Sequence, residues 1–365
     1  MPCEREGLEL QPPQTDDGTA LHAGSSAALS ALLAQAAALT EAAVQHSSCH
    51  RFGPLSLRVD SNDREAARRL TRCLLPAAAA VPADLQIFVL CGSSPPFALP
   101  PRWNLPHSDA RHLERLHLAP DGSITAFHDD DRRFWMMLDR PARRALFWIA
   151  AAEQIPFWEP AAPFKFLLHW FLASHPMAMV HGGVVSVDGQ GALLVGPGGS
   201  GKSTTVASCL AAGLQVCGDD LVIVERAAPG WQAHALYDSI KLSANGGLPV
   251  PARLDAAPWQ ACGDKRLVRY SDVRPESLAP CTRLTALLQC VVSGEQDSKV
   301  VPVSPSVLLR AIAPPTVFLL RGHETSTLAK IGALVRELPC YRIELGTDPA
   351  GVVALLESLL SGRKG

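Results

Sequence analysis

Residues 196 to 204 read Gly-Pro-Gly-Gly-Ser-Gly-Lys-Ser-Thr, a complete GxxxxGK[ST] pattern between the apolar run Ala192 to Val195 and a helix-compatible stretch from about Ser203. This segment constrains the fold strongly. A strand must end in a glycine-rich turn and restart as a helix, so that converging backbone N–H groups and the positive helix end face one point. That arrangement suits the phosphates of ATP or GTP. Lys202 is expected to reach the β- and γ-phosphates, and the Ser203 hydroxyl to ligate Mg²⁺. Gly196, Pro197, Gly198, Gly199, Ser200, Gly201 and Thr204 complete the candidate nucleotide loop.

The same letters satisfy a second pattern. Gly196, Gly198 and Gly201 form GxGxxG, and Asp219 follows Gly201 by 18 residues, near the place where a dinucleotide fold puts its ribose-binding acid. An NAD-dependent oxidoreductase is therefore the alternative to weigh. Against it, Lys202 and Ser203 put a cation and a hydroxyl where a dinucleotide needs only backbone, and the acid is a doublet, Asp219-Asp220, that runs straight into the apolar stretch Leu221 to Val224.

The chain has 365 residues, 47% of them hydrophobic and 19% charged, which predicts a folded protein of about two domains. A net charge of −2, with 33 Lys and Arg residues scattered along the chain, gives no basic stripe for nucleic acid or an anionic membrane. Glu4-Arg5-Glu6 is not followed by an apolar signal segment, and Leu21 to Val44, mostly alanine, reads as a surface or bundle helix rather than a membrane anchor. The expectation is a cytoplasmic protein. The ten cysteines include no CxxC pair, so reduced structural thiols are expected.

Along the chain, residues 1–20 read as a flexible Pro-rich tail, 21–158 as a smaller α+β domain and 159–365 as the nucleotide domain. Leu55 to Val59 and Gln86 to Cys91 predict strands, with a helix over Asp63 to Leu75 between them. Five prolines break the pattern between Ser93 and His107, and a meander follows over Leu116 to Leu118, Ser123 to Phe127 and Phe134 to Leu138. The triple aspartate 129–131 reads as a solvated turn beside Arg132 and Arg133. Phe164 to Ala173 predicts a buried helix, and Val184 to Val195 a β-hairpin turning at Asp188 to Gly191. A helix over 203–212 is stopped by Gly213, and a strand over Leu214 to Cys217 ends at the acidic pair. Pro314 to Arg321 and Leu338 to Leu345 predict closing strands, and Pro349 to Leu360 a terminal helix.

Phosphoryl transfer to a neutral hydroxyl needs charge neutralisation on the phosphates and a base for the acceptor. Asp219 and Asp220 can divide those tasks only if the chain turns after Gly218, because successive residues of an extended strand point to opposite sides. The alternative is that one aspartate serves the turn and the other alone meets Mg²⁺.

His181-Gly182, the hairpin, the loop Gly196 to Ser203, the short helix to Gly213 and Asp219-Asp220 together resemble the catalytic domain of the HPr serine kinase/phosphorylase family, whose fold is related to phosphoenolpyruvate carboxykinase. The resemblance implies an α/β P-loop domain with ATP and Mg²⁺ as cofactors. It implies Lys202 as phosphate ligand, Ser203 and Asp220 at Mg²⁺, Asp219 as base, and His181 near the transferred group. Thr204 stands where that family has an acid, and its second, Arg- and Asn-containing signature is missing. The chain is thus more similar to the divergent members that accompany bacterial peptide-modification genes, which implies a serine hydroxyl on a peptide or protein as acceptor. A homo-oligomer is a further implication. Lys241, Lys265 and Arg266 are the remaining candidates for a phosphate or substrate clamp, with ordinary surface charge as the alternative.

Overall fold

A computed structural model of the chain describes residues 23–77, 83–93, 114–119, 121–129, 134–243 and 252–362. The expected tail 1–20, the proline-rich break beyond Ser93, and the acidic turn past Asp129 lie outside the described residues. The described residues form a mixed α/β structure with three sheets.

The first sheet has eight strands: β1 (His46–Phe52), β2 (Leu55–Ser61), β3 (Leu75–Pro76), β4 (Leu85–Cys91), β5 (Glu114–Leu118), β6 (Ile124–Asp129), β7 (Phe134–Asp139) and β8 (Arg144–Ile149). Their order is β3-β1-β2-β4-β8-β7-β6-β5, with β4 parallel to both β2 and β8. Alternation along β7 sends Phe134, Met136 and Leu138 to one face and Trp135 and Met137 to the other, and both faces are buried. Helix α1 (Ala23–Ala42) covers the second face with Leu29, Leu32, Leu33 and Ala36, an i, i+3, i+4, i+7 stripe. Helix α2 (Arg64–Thr71) lies on the first face, capped by Asp63, whose Oδ1 accepts from the Ala66 N–H at 2.7 Å. It is shorter than the expected helix to Leu75, because Leu75 pairs with Arg51 as a strand.

The first face is closed by α3 (Lys165–Leu172), whose Phe164, Leu167, Leu168 and Phe171 are all buried as the stripe predicts. Its core continues without a break into Met177, Met179, Leu221 and Ile223 of the second sheet. Trp170 is fully buried at this junction and donates Nε1–H to the Arg321 carbonyl at 2.8 Å. Trp170→Ala is expected to cost about 3–5 kcal/mol of stability, read as a lowered urea midpoint at unchanged slope.

The second sheet has nine strands: β9 (Met177–His181), β10 (Gly183–Val187), β11 (Gln190–Val195), β12 (Gln215–Gly218), β13 (Leu221–Ala227), β14 (Gly230–His234), β18 (Cys281–Val292), β19 (Lys299–Pro302) and β20 (Cys340–Leu345). Between them in the chain, β15 (Ile240–Ser243), β16 (Trp259–Cys262) and β17 (Lys265–Val268) form a small third sheet in the order β15-β17-β16. The β10–β11 hairpin turns on two residues, Asp188 at φ +49° and Gly189 at φ +74°, the backbone that an Asp-Gly turn adopts.

Residues of β10 and β11 again alternate between two cores. Val185, Ala192 and Leu194 pack with α4 (Lys202–Ala212) and α9 (Pro349–Ser361), and Val184, Leu193 and Val195 pack with α7 (Pro305–Leu319) and α8 (Glu324–Glu337). Two short helices, α5 (Ala252–Asp255) and α6 (Tyr270–Val273), flank the small sheet.

The segment expected to close the sheet as a strand from Pro314 is instead the end of α7. Two adjacent prolines signal a break, but Leu308, Ala311, Ile312 and Thr316 carry a buried helical stripe past them. No described helix is long and apolar enough to cross a membrane.

Candidate active site

Strand β11 ends at Val195, parallel to β18, and the chain turns immediately into the glycine loop. Gly196 takes φ +145°, Gly199 φ +78° and Gly201 φ +95°, backbone that L side chains rarely adopt. A Cβ at Gly196 would come within 2.7 Å of Ser200 Oγ, so side-chain bulk as well as φ selects glycine there. Helix α4 starts at Lys202, whose buried ammonium donates to the Gly196 and Pro197 carbonyls at 2.8 and 2.9 Å. Burial lowers its pKa, against the pull of Asp219.

The chain does turn after Gly218, although only Asp220 of the acidic pair lines the cavity. β12 ends at Gly218, and the Leu221 N–H donates to the Asp219 carbonyl at 2.8 Å across Asp220, which has φ +67°. This is the three-residue γ-turn with its central residue at positive φ, a strained conformation that a non-glycine residue holds only where its surroundings enforce it. β13 then restarts beside β9, with Leu221 opposite His181, and the Gly182 N–H donates to the Asp220 carbonyl at 3.2 Å. The His181 N–H donates to Thr316 Oγ1 on α7 at 3.0 Å, which fixes the end of β9.

The two carboxylates differ in kind. Asp219 is 2% exposed, and neither of its oxygens has a hydrogen-bond partner among the described residues. Burial pushes its carboxyl up to about 6, helped by the Asp220 charge and opposed by Ser203, Lys241 and Lys202. Burial works against ionisation of Asp220 too, but Lys241, with Nζ 2.5 Å from Oδ2, and His181, with Nδ1 3.9 Å from Oδ1, outweigh it and bring the group down to about 2. The His181 imidazole is itself lowered to about 4 by burial, with Lys202, Lys241 and Lys265 adding to the effect against Asp220.

These shifts have opposite consequences for stability. The pKa of Asp219 is raised from 3.8 to about 6 in the folded chain, so its ionisation costs stability as pH rises from about 4 through about 6. For Asp220 the stabilisation is present above about 4 and is lost as pH falls through about 2. Asp219→Asn removes only the first effect. Its thermal midpoint is expected to exceed that of the native chain at pH 7.5 and to match it at pH 4.

A cavity of about 380 Å³ opens over these groups, lined by His181, loop residues Gly198 to Thr204, Asp220, Lys241 to Ser243, Lys265 and Val292. The structure thus brings together His181, most of the loop, Ser203, Asp220, Lys241 and Lys265. Asp219 is buried and is not on the cavity wall. Arg266 does not join them: it pairs with Asp255 Oδ1 at 2.7 Å and lies 5.8 Å from the Trp259 ring centroid, because Lys265 and Arg266 are successive strand residues and face opposite ways. Asp238 accepts from the Ser271 backbone N–H and from the Arg269 side chain.

One further cation was not marked by the sequence reading. Lys165, at the start of α3, is almost fully buried, with Nζ 5.7 Å from the Trp158 ring and 5.2 Å from the Phe166 ring. Burial lowers its pKa, and the charges that act on it are Glu159, Lys241 and Asp220. A lone lysine in an apolar helix was the available signal.

Among the described residues no cluster of three or more His, Cys, Asp or Glu side chains could hold a metal by itself. The donors on the cavity wall, the Asp220 carboxylate and the Ser203 hydroxyl beside a phosphate loop, fit Mg²⁺, which binds through one or two carboxylates together with nucleotide phosphates.

No model of a known protein family matches the chain, and no curated protein does. Among solved structures it is similar to the Hpr(Ser) kinase/phosphatase from Coxiella burnetii, over 51% of this chain and 99% of that one, at 10% identity and a TM-score of 0.30. A likeness that loose does not assign the chain to a family.

Proposed function

We propose that the chain is an ATP- and Mg²⁺-dependent kinase that transfers a phosphoryl group to a serine-type hydroxyl of a peptide or protein. The observation that carries the reading is the pair of adjacent acids at the turn after β12, Asp219 buried and Asp220 paired with Lys241 on the wall of the phosphate-loop cavity. A general base works best with a pKa near the working pH, and a metal ligand must stay ionised.

In this reading the loop N–H groups and Lys202 hold the β- and γ-phosphates, and Lys202 exchanges the Gly196 and Pro197 carbonyls for phosphate oxygens. Mg²⁺, when bound, neutralises phosphate charge. Ser203 and Asp220 would hold it. Asp219 takes the proton of the acceptor hydroxyl as that oxygen bonds to the γ-phosphorus, the bond to the β–γ bridging oxygen breaks, and ADP leaves. Lys241 keeps Asp220 ionised and, with Lys265, faces the transferred group; His181, lowered to about 4, stays neutral beside it.

A second reading, a nucleotide-binding module or NTPase without an acceptor, is favoured by the burial of Asp219 and its absence from the cavity wall. The dinucleotide alternative loses its topological support. The strand after α4 pairs antiparallel with β10 and not parallel with β11, so the βαβ crossover of a dinucleotide fold is not formed at this loop.

Incubation with γ-labelled ATP, Mg²⁺ and a pool of serine-containing peptides tests the proposal. Acid-stable label on peptide supports a kinase. ATP binding without transfer to any acceptor supports the regulatory module, and Mg²⁺-independent binding of NAD would restore the oxidoreductase.

A further inference from the structure

Among the described residues the outer edge of the small third sheet, near the cavity, is unpaired. Among the described residues β16 pairs with β17 alone, through Trp259↔Val268, Gln260↔Leu267, Ala261↔Arg266 and Cys262↔Lys265. The two strands are joined by Gly263-Asp264, with Gly263 at φ +62° and Asp264 not at positive φ, the pattern of a two-residue hairpin whose first turn residue is glycine. In such a hairpin the residues flanking the turn exchange both backbone hydrogen bonds. Cys262 and Gln260 therefore bond to β17, and the N–H and C=O groups of Ala261 and Trp259 point out of the sheet. Trp259, Gln260 and Ala261 are exposed, and Cys262 is buried against Cys73, Ala161 and Leu267.

The Cys262 end of this edge is the end nearer the cavity. Across the sheet, Cys262 is level with Lys265 and Ser243, both of which line the cavity wall. The exposed rings of Trp259 and Phe157 mark the two ends, and Phe157 packs so closely on the hairpin turn that a Cβ at Gly263 would come within 3.0 Å of it. Lys265 lies on the cavity wall and is in no ion pair among the described residues.

We infer that β16 is the docking strand for the acceptor: an extended peptide segment pairs with its open edge as a fourth strand and carries its hydroxyl residue past Cys262 into the cavity, with an acidic side chain near that hydroxyl meeting Lys265. The inference rests on the kinase reading above. Backbone pairing supplies affinity without a fixed sequence, and the aromatic rims and Lys265 supply the selection. A four-residue edge flanked by a charged Arg266 is short enough to stay unpaired until such a segment arrives.

The test compares two acceptors, a pool of ten-residue peptides with a central serine and N-acetylserinamide, which is too short to form a strand. Ala261→Pro deletes one outward N–H and leaves the bonds to β17 in place, and Ala261→Val keeps that N–H. Ala261→Pro is expected to lower kcat/KM for the pool about tenfold, the effect of one or two backbone hydrogen bonds. Ala261→Val should not, and all three proteins should label N-acetylserinamide equally and bind ATP equally, which also shows that they are folded. Trp259→Ala should raise KM for the pool without changing the rate with N-acetylserinamide.

Equal pool rates for Ala261→Pro and the native chain, with N-acetylserinamide labelled, overturn the docking strand and leave the kinase standing. A dimer that Ala261→Pro converts to monomers, at unchanged pool rates, gives the edge to a second copy and overturns the inference too. If the native chain labels neither acceptor, the kinase reading fails and the docking strand fails with it.

Discussion

Asp219→Asn is expected to reduce phosphoryl transfer by about two to four orders of magnitude while ATP affinity changes only a few-fold. The amide matches the carboxylate in shape, so the γ-turn at Asp220 and the strand pairing on either side of it are retained. What it cannot do is accept a proton. In the native chain burial holds this group near 6, so at neutral pH it is mostly ionised and still basic enough to take a hydroxyl proton as the bond to phosphorus forms. The native rate is expected to rise as pH passes through about 6, and the small residual rate of the variant to lack that rise. Initial rates of peptide labelling between pH 5 and pH 8 check both points.

Lys202→Met is expected to lower kcat/KM by about two to three orders of magnitude and to weaken ATP binding as well, unlike Asp219→Asn. Methionine has nearly the length of lysine and tolerates the buried site at the start of α4, so the loop is expected to keep its fold. The lost group is a buried ammonium that donates to the Gly196 and Pro197 carbonyls and is positioned to move onto phosphate oxygens. Arginine is not a substitute, because its planar fork is wider than the space filled by a point cation on a flexible stem. Calorimetric titration with ATP, paired with initial rates, separates the binding loss from the loss in the chemical step.

The phosphate loop was legible in the sequence because its constraints are local. Glycines at positive φ, the Asp188-Gly189 turn and the Gly213 cap are each set by one or two residues. The need for a turn between Gly218 and Leu221 was legible too, as a geometric condition on two neighbouring acids, although only the structure supplies the γ-turn that meets it.

What the sequence hid depends on distant partners. Pro314 and Pro315 masked the end of α7, and that helix is held in place by buried contacts on β9 and β18 rather than by propensity. Lys165 reaches the neighbourhood of Asp220 because the core of the first sheet continues into the second. β18, the longest strand among the described residues, was not expected at all; it pairs with β11, β14 and β20, and none of those registers is local. Arg266 was separable in advance, since strand alternation forbids it from sharing a face with Lys265.

The most direct measurement is the fate of the γ-phosphate by ³¹P NMR, with Mg²⁺, ATP and the serine-peptide pool, for the native chain, Asp219→Asn and Lys202→Met. The account predicts a phosphoserine signal from the native chain growing in step with ADP, and neither signal from the two variants on the same timescale. ADP accompanied only by inorganic phosphate, or a phosphoserine signal that Asp219→Asn produces as fast as the native chain, would contradict it.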